Sequence, residues 1–277
     1  LKNLWVSLSG AVAQQQNVDT IANNVANANT PGFKKDQLVF KEYLTALERS
    51  QNHIDIPNKE FKPKDFYHSG GNENSYVKVD GSYTDFQQGQ LSPTGNPLDL
   101  AVNGRAFLEV LTPQGLRFTR KGSLTLSKNN ELVTSEGFRV LSSLPAGEAP
   151  ANGQATQLQD PKSRIITIPN GSSISINLEG DIRVDRNDVG KISLVEFNDI
   201  HALKKEGTSL YINPYANNIS SNSNSTIHQG FIEESNVNVV NEISDLIKAN
   251  RHFESIQKAI KAYDNISGRA VNDISRF

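Results

Sequence analysis

Apolar positions recur by threes and fours through the first 28 residues: Leu1, Leu4, Leu8, Ala11, Val18, Ala22 and Val25. That spacing puts them on one narrow helical face, closer to a coiled-coil seam than to the broad apolar face of a globular surface helix. Gln15 occupies one seam position, and Trp5, Val12 and Ile21 flank the seam. The pattern predicts an α-helix over 1–28. It ends by Asn29, because Pro31 disfavours helical backbone in the residue before it and Pro31-Gly32 is a strong turn signal.

The same alternation returns at the far end: Val239, Ile243, Leu246, Phe253, Ile256, Ile260, Tyr263, Ala270, Ile274 and Phe277, with polar Asn250 and Ser267 near the line. It predicts a helix over 236–277, about 60 Å long at 1.5 Å per residue. Ser235 is the expected N-cap, and Gly268 a point of kinking or fraying. A narrow seam needs a partner helix. The two terminal helices are therefore expected to pair, Leu4, Leu8, Val18 and Val25 against Ile243, Leu246, Phe253, Ile256 and Ile260. An ordinary surface helix packed on its own domain is the weaker alternative, given the seam's length and narrowness.

Between the helices the pattern changes twice. Leu38, Phe40, Tyr43, Leu44 and Leu47 predict a second, shorter helix over 34–50. Regularity then fades, and 51–80 reads as an extended segment, unusually long for a loop inside a compact domain. Tyr76, Val77 and Val79 begin a β pattern. From 81 onward short apolar runs alternate with turn signals at Gly89, Gly95-Asn96-Pro97, Gly104, Pro113-Gln114-Gly115, Lys128-Asn129-Asn130 and Gly137. Strand spacing of about eight to twelve residues predicts an antiparallel sandwich or barrel. Residues 143–163 and the Ser/Asn run at 220–225 read as loops. The expected fold class is α+β: paired N- and C-terminal helices (1–33 and 236–277) forming a coiled-coil-like inner domain, a connecting segment with a short helix (34–80), and a central antiparallel β-rich domain (81–235).

Composition fits an elongated molecule or one completed by other subunits. Apolar residues are 36% of 277, and the mean hydropathy is −0.48, lean for a globular chain. With 28 basic and 30 acidic residues and no basic face, nucleic acid is a poor partner. Cysteine is absent, which excludes disulfides, zinc–cysteine sites and thiol catalysis. No apolar run reaches the length of a membrane span, so membrane insertion is not expected. The start does not read as a cleavable secretory signal. Methionine is also absent, and the numbering is consistent with a removed initiator.

Reactive groups do not converge. His53, His68, His201, His228 and His252 are scattered without metal-ligand spacing, and neither a nucleophile elbow nor a phosphate-cradling glycine loop is present. Asp181, Asp185 and Asp188 lack the glycine and final glutamate of a calcium loop and read as hairpin residues. Arg105, Arg117, Arg120 and Arg139 are expected to pair at the surface. No cofactor, metal or catalytic residue is predicted. What stands out is an asparagine run, Asn23, Asn24, Asn27 and Asn29, where amide side chains compete with helical backbone bonding. Such residues are expected to bond neighbouring backbone, or each other across an interface.

The stretch Ala22-Asn23-Asn24-Val25-Ala26-Asn27-Ala28-Asn29-Thr30-Pro31-Gly32-Phe33 resembles the flagellar basal-body rod and hook family of bacteria. So do Glu234-Ser235-Asn236-Val237-Asn238 with Glu242, Ile247, Arg251 and Phe253. In the middle, so do Gly89, Gly95, Leu98-Asp99-Leu100-Ala101, Gly104, Phe107, Thr119-Arg120, Gly122-Ser123, Leu132-Val133-Thr134 and Gly137. Within the family, Leu98-Asp99-Leu100-Ala101 and Gly268-Arg269-Ala270-Val271-Asn272-Asp273 look most like the proximal rod members, with distal rod and hook members next. The chain departs from the common pattern at Leu108 and at Arg251-His252-Phe253.

The resemblance implies an axial protein of the periplasmic basal body. It would be exported without signal cleavage through transient contact with the type III apparatus, and built into a helical tube with its own copies and neighbouring rod proteins. It further implies subunit assembly through Asn23, Asn24, Asn27, Asn29, Thr30, Pro31, Gly32, Phe33, Ser235, Asn236 and Asn238, with 51–80 reaching to an adjacent subunit. Both termini are then expected to be disordered in the free monomer. The competing reading from another class is a secreted β-domain glycan-binding module or hydrolase with helical dimerisation arms. The dispersed aromatics, 7% of the chain, argue against it.

Overall fold

The computed structural model describes residues 2–44, 75–143, 161–169, 173–185, 187–220 and 224–274. The expected extended segment up to residue 74 and most of the 143–163 loop lie outside these residues. The chain divides into two compact units. A helical unit takes Leu1–Val25, Asp36–Tyr83 and Val239–Phe277; a β unit takes Ala26–Lys35 and Thr84–Asn238.

In the helical unit, α1 spans Lys2–Ala26 and α2 spans Val239–Ile274. They run antiparallel. Asn24 bonds to Glu242, Gln14 Nε2 donates to the Ala249 carbonyl at 3.2 Å, and a methyl group added at Gly10 would sit 4.0 Å from Ile256 Cδ1. Within α2 the half-buried line is Leu246, Phe253, Ile256 and Ile260, with Ala249 buried among them. Val18 and Val25 of α1 are half-buried. Leu8 and Ile243 are 43% and 42% exposed, so these two predicted seam residues lie outside the contact line. The deepest positions are small or polar, Ala11, Ala13, Ala249 and Asn24; small side chains permit close approach.

The helix expected over 34–50 is not formed. Asp36–Leu44 is a strand, β1, paired with β2 at Ser75–Thr84 in a two-stranded ribbon. Val39, Phe40 and Tyr43 favour extended backbone through branching or aromatic bulk. The partner that settles the conformation lies more than thirty residues away in sequence. Val39 and Phe40 are both exposed, so no burial alternation marks this strand.

The β unit is built of short antiparallel strands, the class of structure the turn spacing predicts. Its main sheet joins β5 (Phe107–Thr112), β6 (Gly115–Thr119), β7 (Leu124–Leu126), β8 (Leu132–Thr134), β9 (Arg139–Val140), β13 (Leu194–Val195), β14 (Lys204–Glu206) and β15 (Leu210–Ile212). The order is β14-β15-β6-β5-β9-β8-β7, with β13 also on β5. Smaller sheets join β10 (Ile174–Ile176), β11 (Asp181–Val184) and β12 (Asn187–Lys191); β4 (Leu100–Asn103) with β16 (Thr226–Gln229); and β3 (Leu91–Pro93) with β17 (Phe231–Glu233). As predicted, Asp181, Asp185 and Asp188 belong to the β11–β12 hairpin, with Asp185 at φ 48°.

β5 separates two cores because alternate residues point to opposite faces. Leu108 and Val110 enter an aliphatic cluster with Leu100, Leu132, Ile182 and Ile227. Phe107 enters an aromatic cluster with Phe118, Phe197 and Tyr211. Glu109, also buried, binds the Arg164 guanidinium and accepts from Ser193 Oγ at 2.7 Å. Arg117 and Arg139 pair with Glu206 and Glu131, as expected for partly exposed arginines. Arg120 does not: only 2% of its side chain is exposed, and it enters the site described next.

Candidate functional site

The asparagine-rich exit of α1 folds into a tight turn within the β unit. Thr30 N donates to the Asn27 carbonyl at 3.1 Å, Thr30 Oγ1 bonds to Asn27 Oδ1, and Phe33 N returns to the Thr30 carbonyl at 3.2 Å. Gly32 sits at φ +68° and donates its N–H to the Glu233 carbonyl at 2.8 Å. A Cβ at this position would lie 2.6 Å from the Arg120 carbonyl carbon, so position 32 requires glycine by both conformation and space. Phe33 is fully buried, with Lys205 Nζ 4.0 Å from its ring centroid, a cation–π contact. Lys205 also donates to the Lys34 carbonyl.

Beyond Phe33 the chain buries a charge. Lys34 Nζ has no solvent exposure and donates to Glu233 Oε1 at 2.5 Å and to the Gln87 carbonyl at 2.7 Å. Glu233, also fully buried, accepts from Gly89 N at 3.0 Å and faces Arg120 Nη1 at 3.5 Å. Arg120 Nη2 donates to the Gly104 carbonyl at 2.7 Å, and the guanidinium lies 4.8 Å over the Phe107 ring. One carboxylate thus answers two buried cations. Burial pulls Lys34 below the ordinary lysine value of 10.5 and Arg120 below its own ordinary value, while the Glu233 charge pushes both back up.

Asn236 ties the same segments through backbone. Its Nδ2 donates to the Asp85 and Gln87 carbonyls at 2.8 and 3.3 Å, and its Oδ1 accepts from Lys35 N at 2.9 Å. Asp85 N in turn donates to the Lys35 carbonyl at 2.9 Å. Segments 30–35, 85–89 and 233–236 are therefore clamped together by Glu233 and Asn236. Ser235 accepts from Val237 N at 3.2 Å, shaping the turn before α2 rather than capping it, since α2 begins four residues later at Val239.

Asn24 performs the matching task inside the helical unit. It is 2% exposed, accepts from Asp36 N at 3.0 Å, donates to the Asp36 carbonyl at 2.9 Å, and reaches Glu242 Oε2 at 3.5 Å. It joins the end of α1 to the start of β1 and to α2. The predicted assembly residues thus divide. Asn24, Gly32, Phe33 and Asn236 make contacts within the chain. Asn27, Thr30 and Pro31 form the half-buried turn. Asn23, Asn29 and Asn238 are exposed.

Sequence reasoning did not single out Lys34, Arg120 and Glu233 as one cluster. The signal was present: Lys34 follows Phe33, Glu233 precedes Glu234-Ser235-Asn236, and Thr119-Arg120 belongs to the middle motif. Among the described residues no group of three histidine, cysteine or acidic side chains is placed to hold a metal, and no helix is long and apolar enough to cross a membrane. The arrangement joins three segments of the β unit that lie next in sequence to the helical unit.

Three family models match in chain order. Residues 4–34 match the flagella basal body rod protein family, residues 101–184 the flagellar hook protein FlgE/F/G D1 domain, and residues 228–273 the flagellar basal body rod FlgEFG protein C-terminal family. The chain is 32% identical to the flagellar basal-body rod protein FlgF of Caulobacter vibrioides over 99% of its own length and 98% of the relative's. It is 30% identical to the flagellar basal-body rod protein FlgG of Buchnera aphidicola over 95% of its length and 96% of that protein's. To FlgG of Borreliella burgdorferi it is 30% identical over 98% of each. Both ends of the clamp fall inside or beside matched segments, Lys34 closing the first and Glu233 lying in the last. The chain belongs to the flagellar basal-body rod protein family.

Proposed function

We propose that this chain is a structural, non-catalytic subunit of the bacterial flagellar rod that assembles helically with its own copies and neighbouring axial proteins and carries motor torque. The observation that carries the reading is the full-length correspondence to rod proteins. The clamp of Lys34, Arg120, Glu233 and Asn236 supports it. The chain crosses from one unit to the other at 25–26, 35–36, 83–84 and 238–239. The clamp sets three of these passages at their β-unit ends with charge-assisted and backbone hydrogen bonds. Contacts between unlike surfaces that do not close into a ring give an open helical tube. Exposed Asn23, Asn29 and Asn238 contribute to those contacts.

Within the family the proximal rod position, that of FlgF, is preferred on Leu98-Asp99-Leu100-Ala101 and on the Gly268–Asp273 ending; FlgG is the second choice. The location is the periplasmic part of the basal body, reached through the type III export apparatus without signal cleavage. The test replaces the gene in its flagellated host. Loss of motility and of complete rods on deletion, restored by the wild-type gene, is the expected result. A deletion strain that still builds a motile, complete rod contradicts the proposal.

A further inference from the structure

Segments 30–35, 85–95 and 230–236 form a layer held differently from the rest of the β unit. The 230–236 segment bonds to both of the others. Toward 85–95, β17 pairs with β3, with Glu233 opposite Leu91. Thr94 N donates to the Gly230 carbonyl and Glu234 N to the Gln90 carbonyl, each at 2.8 Å. The backbones touch there: a Cβ at Gly89 would lie 1.9 Å from the Glu234 carbonyl oxygen. Toward 30–35, Gly32 N donates to the Glu233 carbonyl, and Asn236 N to the Phe33 carbonyl at 3.4 Å. The Glu233 side chain closes the layer through Lys34 Nζ and Gly89 N.

Polar bonds are most of what holds this layer. Among the described residues of 84–99 none is buried, and in 230–238 the one buried side chain is the carboxylate of Glu233. In 30–35 the one large apolar side chain buried is Phe33. β5 and β6, by contrast, bury Phe107, Leu108, Val110 and Phe118. A region with few buried apolar contacts opens at a lower free energy than the core. A buried ion pair adds little net stability, yet removing one partner is costly. The layer is therefore weak as a whole and tightly coupled within itself. If 30–35 leaves, Glu233 loses Lys34; if 230–236 leaves, Lys34 and Arg120 lose their carboxylate.

We infer that 30–35, 85–95 and 230–236 open and close as one cooperative unit while the β5–β6 sheet stays folded. The chain passes to the helical unit at 35–36, 83–84 and 238–239, directly beside these segments. One opening therefore slackens three of the four connections between the units at once. The layer is the yielding element of those connections, and Glu233 and Asn236 are the residues that close it.

The test is native-state hydrogen exchange on the purified full-length chain at rising denaturant concentrations below the unfolding transition. The amides of Gly32, Gly89, Thr94 and Glu234 report from all three segments, since each donates to a bond that joins two of them. The expected result is one shared opening free energy for the four, with less protection than the amides of β5 and β6. Asn236→Ala then tests the coupling. Asn236 bonds the Lys35 amide and the Asp85 and Gln87 carbonyls, and makes no bond to Thr94. The exchange of Thr94 is nevertheless expected to rise by the same factor as that of Gly32, about tenfold for the lost bonds. Four reporters with four different opening free energies overturn the inference. So do reporters released only with β5 and β6 at global unfolding, and so does a response to Asn236→Ala confined to Lys35.

Discussion

The two units solve the burial problem in opposite ways. Among the described residues of the helical unit, the buried apolar side chains are three alanines, Ala11, Ala13 and Ala249. Thirteen of the sixteen large apolar side chains left exposed belong to that unit, from Trp5 and Leu8 to Tyr263 and Ile266. The β unit fills its interior with Phe107, Leu108, Phe118, Ile182, Tyr211 and their neighbours, and among its described residues leaves only Leu126, Leu178 and Tyr215 exposed in the same class. A fully buried large apolar side chain contributes about 1.5–3 kcal/mol, and an isolated two-stranded ribbon adds little. The β unit is therefore complete as a single chain. On the proposed rod reading the helical unit is finished by other subunits, one of the two explanations for the lean composition.

Variants sharpen this contrast if they disturb one unit at a time. The largest effect is expected from Glu233→Gln, which leaves Lys34 and Arg120 buried without their common counter-charge. Removing one partner of a buried ion pair costs about 3–5 kcal/mol, read as a fall in the β unit's denaturation midpoint. A change smaller than that of a surface substitution contradicts the clamp. Gly32→Ala comes next. The left-handed conformation alone costs about 1–3 kcal/mol, and the clash with the Arg120 backbone adds to it. Rescue by a second-site change in the 119–122 segment distinguishes that clash from a general loss of folding.

Asn24→Ala acts on the other unit. It removes both bonds to the half-buried Asp36 backbone, about 1–3 kcal/mol. Because the helical unit has so little buried apolar surface, this variant is expected to reduce helical circular dichroism while the β unit's transition stays in place. A parallel fall in both would show that the units do not respond separately.

The smallest expected effect is on pH dependence. Lys34 titrates below 10.5 in the fold because burial outweighs Glu233. Between its lowered value and 10.5 the unfolded chain binds the proton more tightly, so this group's contribution to stability rises with pH across that window. Lys34→Met is expected to remove that rise, measured as the slope of unfolding free energy against pH. An unchanged slope means that another group titrates there.

Much of this division was legible in the sequence, because it depends on local periodicity. The two seams located α1 and α2, and the turn signals located the strands from β4 to β9. Pro31-Gly32 marked the exit turn. The residues that connect segments were not legible in the same way. Asn24 meets Glu242 across 218 positions, and Arg120 meets Glu233 across 113. Neither burial nor charge pairing over such separations leaves a periodic trace. An arginine among strands reads as a surface residue until its partner is known. β1 is misread for a related reason: its pairing with β2 is distant, the spacing of Leu38, Phe40, Tyr43, Leu44 and Leu47 reads as a helix face, and adjacent Val39 and Phe40 break strand alternation. The asparagine run carried the right signal, amides competing for backbone, but the structure assigns Asn24 to backbone of its own chain.

Amide hydrogen exchange on the dilute monomer and on assembled rods tests the contrast between the units most directly. The account predicts that the monomer's β5 and β6 amides exchange slowly while those of 2–26 and 240–274 exchange fast, and that assembly slows the helical amides. Helices protected in the dilute monomer as strongly as β5 and β6 would contradict it.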